Sequence, residues 1–66
     1  MAVLYDLRMA IEKKIEADHL DATHVRGQIG LKAGKLISLI SPNTPDDPVV
    51  IGKLRSAARE VLGLNI

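Results

Sequence analysis

All three prolines of this chain, Pro42, Pro45 and Pro48, fall in one stretch, Ser41-Pro42-Asn43-Thr44-Pro45-Asp46-Asp47-Pro48. Proline lacks a backbone donor, and it bars the residue before it from the helical region. The stretch is therefore a stiff turn that divides a long N-terminal part from a short C-terminal one. Before Gly27 the chain has neither Gly nor Pro, so no breaker interrupts a helix there.

Apolar residues on both sides of the turn recur at helical spacing. Leu4, Leu7, Ile11 and Ile15 form a stripe, with Asp6, Arg8, Glu12, Lys13 and Glu16 opposite. This pattern predicts an amphipathic helix over 2–18. Within it Arg8 and Glu12 are i,i+4 neighbours of opposite charge, and Glu12 and Glu16 of like charge. Ala22, Val25, Ile29, Ala33, Leu36 and Ile40 continue the stripe and predict a second helix over 21–40, widened by Leu31, Ile37 and Leu39. Asp18 or Asp21 can cap its start, and Pro42 ends it. The two stripes run in phase, so one continuous helix would show the same pattern. The polar cluster Glu16, Asp18, His19, Asp21 favours a break at 18–21, because Asp is a poor helix former.

The last helix is expected over 48–62. Asp47 is the N-cap and Pro48 the first helical residue, where a missing N–H costs nothing. Val50, Leu54, Ala57 and Val61 form one apolar row, and Ile51, Ala58 and Leu62 the next. Asp46 and Asp47 would complement the positive end of this helix. Gly63 suits a left-handed C-cap, with Leu64 folding back. Thr44 with Pro45 could begin a short preceding turn. The only β-branched run, Val49-Val50-Ile51, is too short to compete as a strand. The expected fold is thus all-α, a small three-helix bundle in one domain spanning 1–66. The alternative is a long helix and a short one folded as a hairpin and completed by dimerisation.

Composition narrows function by exclusion. With 47% apolar residues, the chain is richer in Leu, Ile and Val than a solvated polymer. Without cysteine there is no disulfide scaffold, thiolate zinc site or cysteine nucleophile. A net charge of +1 gives no general attraction to nucleic acid or membrane. No apolar run approaches the ~20 residues of a membrane span, and the N-terminus lacks the pattern of a signal peptide. A cytoplasmic location and no membrane partner are expected.

No catalytic or cofactor constellation emerges. Asp18, Asp21 and His24 lie at i, i+3, i+6, which points the outer two to different sides of a helix. With His19 they read better as a polar helix end than as a metal site. The hydroxyls of Tyr5, Thr23, Ser38, Ser41, Thr44 and Ser56 lie in no recognisable nucleophile setting. Gly27, Gly30 and Gly34 lack the order and the preceding strand of a phosphate loop. No enzyme activity, metal or cofactor is expected.

Two features of the middle segment remain. Arg26, Lys32 and Lys35, with Gln28, form a small basic patch that could grip DNA if its helix were the second of a helix-turn-helix; His24 and Ser38 share part of that face, but Leu31 interrupts it. Gly27, Gly30 and Gly34, with Ala33 and Ile37, form a row of mostly small residues. Glycine inside a helix costs about 1 kcal/mol relative to Ala, so a compensating close contact is expected. The contact would be with the last helix through Gly52, Ala57 and Ala58, or with a second chain; a kink at Gly27 or Gly30 is the remaining possibility. A chain this short buries only about 60% of its unfolded surface, which makes association a natural support. The function expected is therefore a non-enzymatic intracellular interaction or regulatory module, self-associating as a homodimer or docking another helical protein. The alternative is a small DNA-binding regulator.

Overall fold

A computed structural model describes residues 3–65. Helix α1 spans Val3–Ala17, α2 spans Ala22–Ala33 and α3 spans Pro48–Leu62, with a 3-10 turn at Ile37–Leu39 between α2 and α3. There is no strand among the described residues. The molecule is an all-α three-helix bundle, with α2 against α3 as its most extensive contact.

The stripe of α1 is buried as its spacing requires: Leu4, Leu7, Ile11 and Ile15 all face the core. At its C-terminus the chain breaks within 18–21. The Leu20 amide donates to the Ile15 carbonyl at 2.9 Å and the His19 amide to that of Glu16 at 3.3 Å. This is the paired closure of a Schellman motif. Its left-handed position is held by His19, with φ 52°, where glycine is the usual occupant. Helix α2 then starts from Asp21, whose carboxylate accepts from the His24 amide.

Helix α2 ends earlier than its apolar pattern predicts. It stops at Ala33 rather than continuing to residue 40, because Gly34 turns left-handed at φ 71° and its amide donates to the Gly30 carbonyl. Beyond that cap the phase changes. Ile37 and Ile40 are fully buried, whereas Leu36, which a continuous helix would place in the core, is half exposed. A 3-10 turn advances about 120° per residue where an α-helix advances 100°, so the two stripes part within one turn.

Helix α3 follows its prediction closely. The Asp47 carboxylate accepts from the Val49 amide, Pro48 opens the helix, and Gly63 closes it at φ 68°. Leu54, Ala57 and Ala58 are buried, with Val50, Ile51, Val61, Leu62 and Leu64 packed around them.

The proline stretch does more than turn. Ser41 and Thr44 close a tight turn around Pro42 and Asn43, the Thr44 amide donating to the Ser41 carbonyl and the Thr44 hydroxyl accepting from the Ser41 amide. Asp46 does not serve α3 as its position in sequence implies. Its carboxylate accepts from the backbone amides of Val3 and Leu4 at 3.2 and 3.1 Å, capping α1 from more than forty residues away. These two bonds hold the Asp46 carboxyl below its ordinary range. Arg8, expected on the solvent face of α1, instead donates to the Ile40 carbonyl. The linker is thereby fastened at both of its ends to the first half of α1.

Candidate interaction face

Of the expected self-association row, Gly27, Gly30 and Ala33 lie in α2, Gly34 is its C-cap and Ile37 belongs to the 3-10 turn beyond it. Ala33 and Ile37 are buried in the core. Gly30 is buried too, and its close neighbour is Leu36: a β-carbon at position 30 would stand 2.7 Å from the Leu36 Cδ2. The close approach that a glycine permits is made here by the chain's own connection and not by α3. Gly34 lies outside the helix as its cap, and Gly27 is half-buried with open space where a side chain would be. Gly27 is thus the one of the three glycines that sits inside a helix without a near neighbour.

The basic residues are equally dispersed. Arg26 makes a bidentate pair with Glu12 of α1, Nε to Oε1 at 2.8 Å and Nη2 to Oε2 at 2.7 Å. The fork matches the carboxylate plane, the stronger form of such a bond. It holds the Glu12 carboxyl below its ordinary range against the opposing effect of burial, with the charge of Arg8 adding to the pull. This pairing replaces the local Arg8–Glu12 neighbour expected from the sequence. Lys32 reaches Glu60 of α3 at 2.7 Å. Gln28 is exposed and Lys35 half-buried just beyond the helix. Two of the three cations therefore bind the bundle together, one to each neighbouring helix, and the net positive field of the patch falls to that of Lys35.

The polar cluster at 18–24 is absorbed by helix ends. Asp21 caps α2, Asp18 pairs with Lys14 at 2.8 Å, and His19 occupies the turn. The described residues hold no group of three potential ligands placed for a metal ion, and no described helix is long and apolar enough to cross a membrane.

What the surface offers instead is apolar. Leu31 is 86% exposed, Leu39 66% and Leu36 49%. They fall within nine residues along the end of α2 and the connection after it, with Leu36 folded over Gly30 beside Leu31. The sequence signal for Leu31 was its position in an otherwise polar face. Leu36 carried none, since it fitted a continuing helical stripe, and Leu39 showed only as a widening of that stripe. No family model, curated protein or solved structure matches the chain.

Proposed function

We propose that the chain is a non-enzymatic helical interaction module that self-associates, and that the leucines at the end of α2 form its contact. The observation carrying this reading is the exposure of Leu31, Leu36 and Leu39 together on a chain of 66 residues. Single exposed leucines are ordinary, whereas a local group of them is characteristic of contact surfaces. The neighbouring charge is low, because Lys32 is paired with Glu60, so covering these leucines would strand few ions. The engagement of Arg26 and Lys32 in ion pairs supports this reading over duplex DNA binding.

Light scattering across a concentration series tests it. The expected result is a mass above the 7.1 kDa of one chain, returning to that value in the Leu31→Gln, Leu39→Gln double variant while helicity is kept. A wild-type mass of one chain at every concentration sinks self-association. A mobility shift of duplex DNA at low salt that Lys35→Gln abolishes would favour the DNA-binding alternative.

A further inference from the structure

A groove of about 350 Å³ lies between the end of α2 and the outer face of α3, lined by Lys32, Gly52, Lys53, Ser56, Ala57 and Glu60. Its polar groups are unequal. Lys53 has no ion-pair partner and Ser56 no hydrogen bond among the described residues, while Glu60, the one acidic side chain present, is engaged by Lys32. Lys53 and Ser56 are three residues apart and so share a helix face. The groove thus has an exposed ammonium and an exposed hydroxyl that no other described group of the chain engages, and a second ammonium held by an exposed carboxylate that a competing anion could replace. Gly52 is an independent observation. It sits inside α3, where glycine costs stability relative to alanine, and a β-carbon there would meet nothing within 4 Å. No contact within the chain requires glycine at this position; its effect is to leave the groove open.

We propose that this groove binds a small ligand through one oxyanionic group, a carboxylate or a phosphate monoester. The oxyanion sits over Gly52, accepts from the Lys53 ammonium and the Ser56 hydroxyl, and draws Lys32 away from Glu60. Glu60 is then a built-in competitor that occupies Lys32 when no ligand is bound.

The test is a titration of the amide NMR spectrum of the whole chain with inorganic phosphate and, separately, with acetate, at constant ionic strength. Saturable shifts confined to Lys32, Gly52, Lys53 and Ser56 are expected; saturation by phosphate alone assigns the phosphate class, and saturation by acetate as well assigns the carboxylate class. Lys53→Gln should weaken binding about tenfold, the worth of one charge-assisted hydrogen bond. Glu60→Gln should tighten it by freeing Lys32, whereas Glu16→Gln, the same change of charge on α1, should leave it unaltered. Gly52→Ala separates the site from the fold, since it should raise Tm through helix propensity while weakening binding. Shifts that never saturate, shifts spread evenly over Lys13, Lys14, Lys35 and Lys53, or a Gly52→Ala chain with higher Tm and undiminished affinity would each overturn the proposal.

Discussion

At the scale of single residues, one backbone position among the described residues departs from local preference. His19 is left-handed at φ 52°, a conformation that costs an L-residue about 1–2 kcal/mol. The Schellman hydrogen bonds of Leu20 and His19 hold it there. His19→Gly relieves the strain but adds freedom to the unfolded chain, about 0.5–1 kcal/mol against it. The expected net is a gain of up to about 1.5 kcal/mol, each kcal/mol being worth roughly 4–8 °C in Tm for a domain of this size. A fall in Tm would mean that the imidazole itself supports the turn. Two other residues show where reading a sequence stops. Arg8 and Asp46 carry no local sign of their partners, because the carbonyl of Ile40 and the amides of Val3 and Leu4 are brought to them only by the complete fold. Helix periodicity places Arg8 outward, and proximity along the chain assigns Asp46 to α3.

At the scale of elements, the ends with a chemical signature were legible and the end without one was not. Asp47 with Pro48 starts α3 and Gly63 stops it, as their side chains and backbone freedom require. The break at 18–21 followed from its cluster of polar residues. The end of α2 was hidden because a glycine followed by in-phase leucines and isoleucines reads equally as a packing glycine or a cap. The glycines of this segment should now separate by sign. Gly27→Ala lies inside α2 with open space and should stabilise by up to about 1 kcal/mol. Gly30→Ala gains the same propensity but displaces the end of the Leu36 side chain, which is half exposed and free to turn; its net effect should be near zero. Gly34→Ala is forced left-handed and should cost about 1 kcal/mol. Urea unfolding of the three variants checks this order, and a stabilised Gly34→Ala chain would mean that α2 can run on past Ala33. Loss of the α3 cap in Asp47→Ala should cost about 0.5–2 kcal/mol; an unchanged urea midpoint would show that the helix start does not depend on it.

For the molecule as a whole, a single chain is already closed. Its accessible surface is 4233 Å², against about 4,100 Å² for a folded monomer of this mass. Its radius of gyration is 10.6 Å, against about 11 Å for a compact chain of this length. Self-association would therefore add to a finished fold rather than complete one. Carboxylates fasten that fold across elements: Glu12 ties α1 to α2 through Arg26, and Asp46 ties the proline linker to the start of α1. Both carboxyls are held below their ordinary values of 4.5 and 3.8, Glu12 chiefly by its bonds to Arg26 and Asp46 by the two backbone amides. A carboxyl whose folded value is depressed takes up its proton more readily in the unfolded chain. Its contribution is complete above the unfolded value and is lost as pH falls through the folded one. Acid should therefore begin to lower Tm near pH 4.5, the ordinary value for Glu12, and continue to do so below the ordinary value for Asp46. Glu12→Gln and Asp46→Asn should each lower Tm at neutral pH, by removing an ionised acceptor, and each should flatten the decline in acid, by removing the proton-linked group. A thermal series from pH 7 down to pH 3 on the three chains reads both effects. Parallel curves for the wild type and both variants would show that neither carboxylate fastens the bundle.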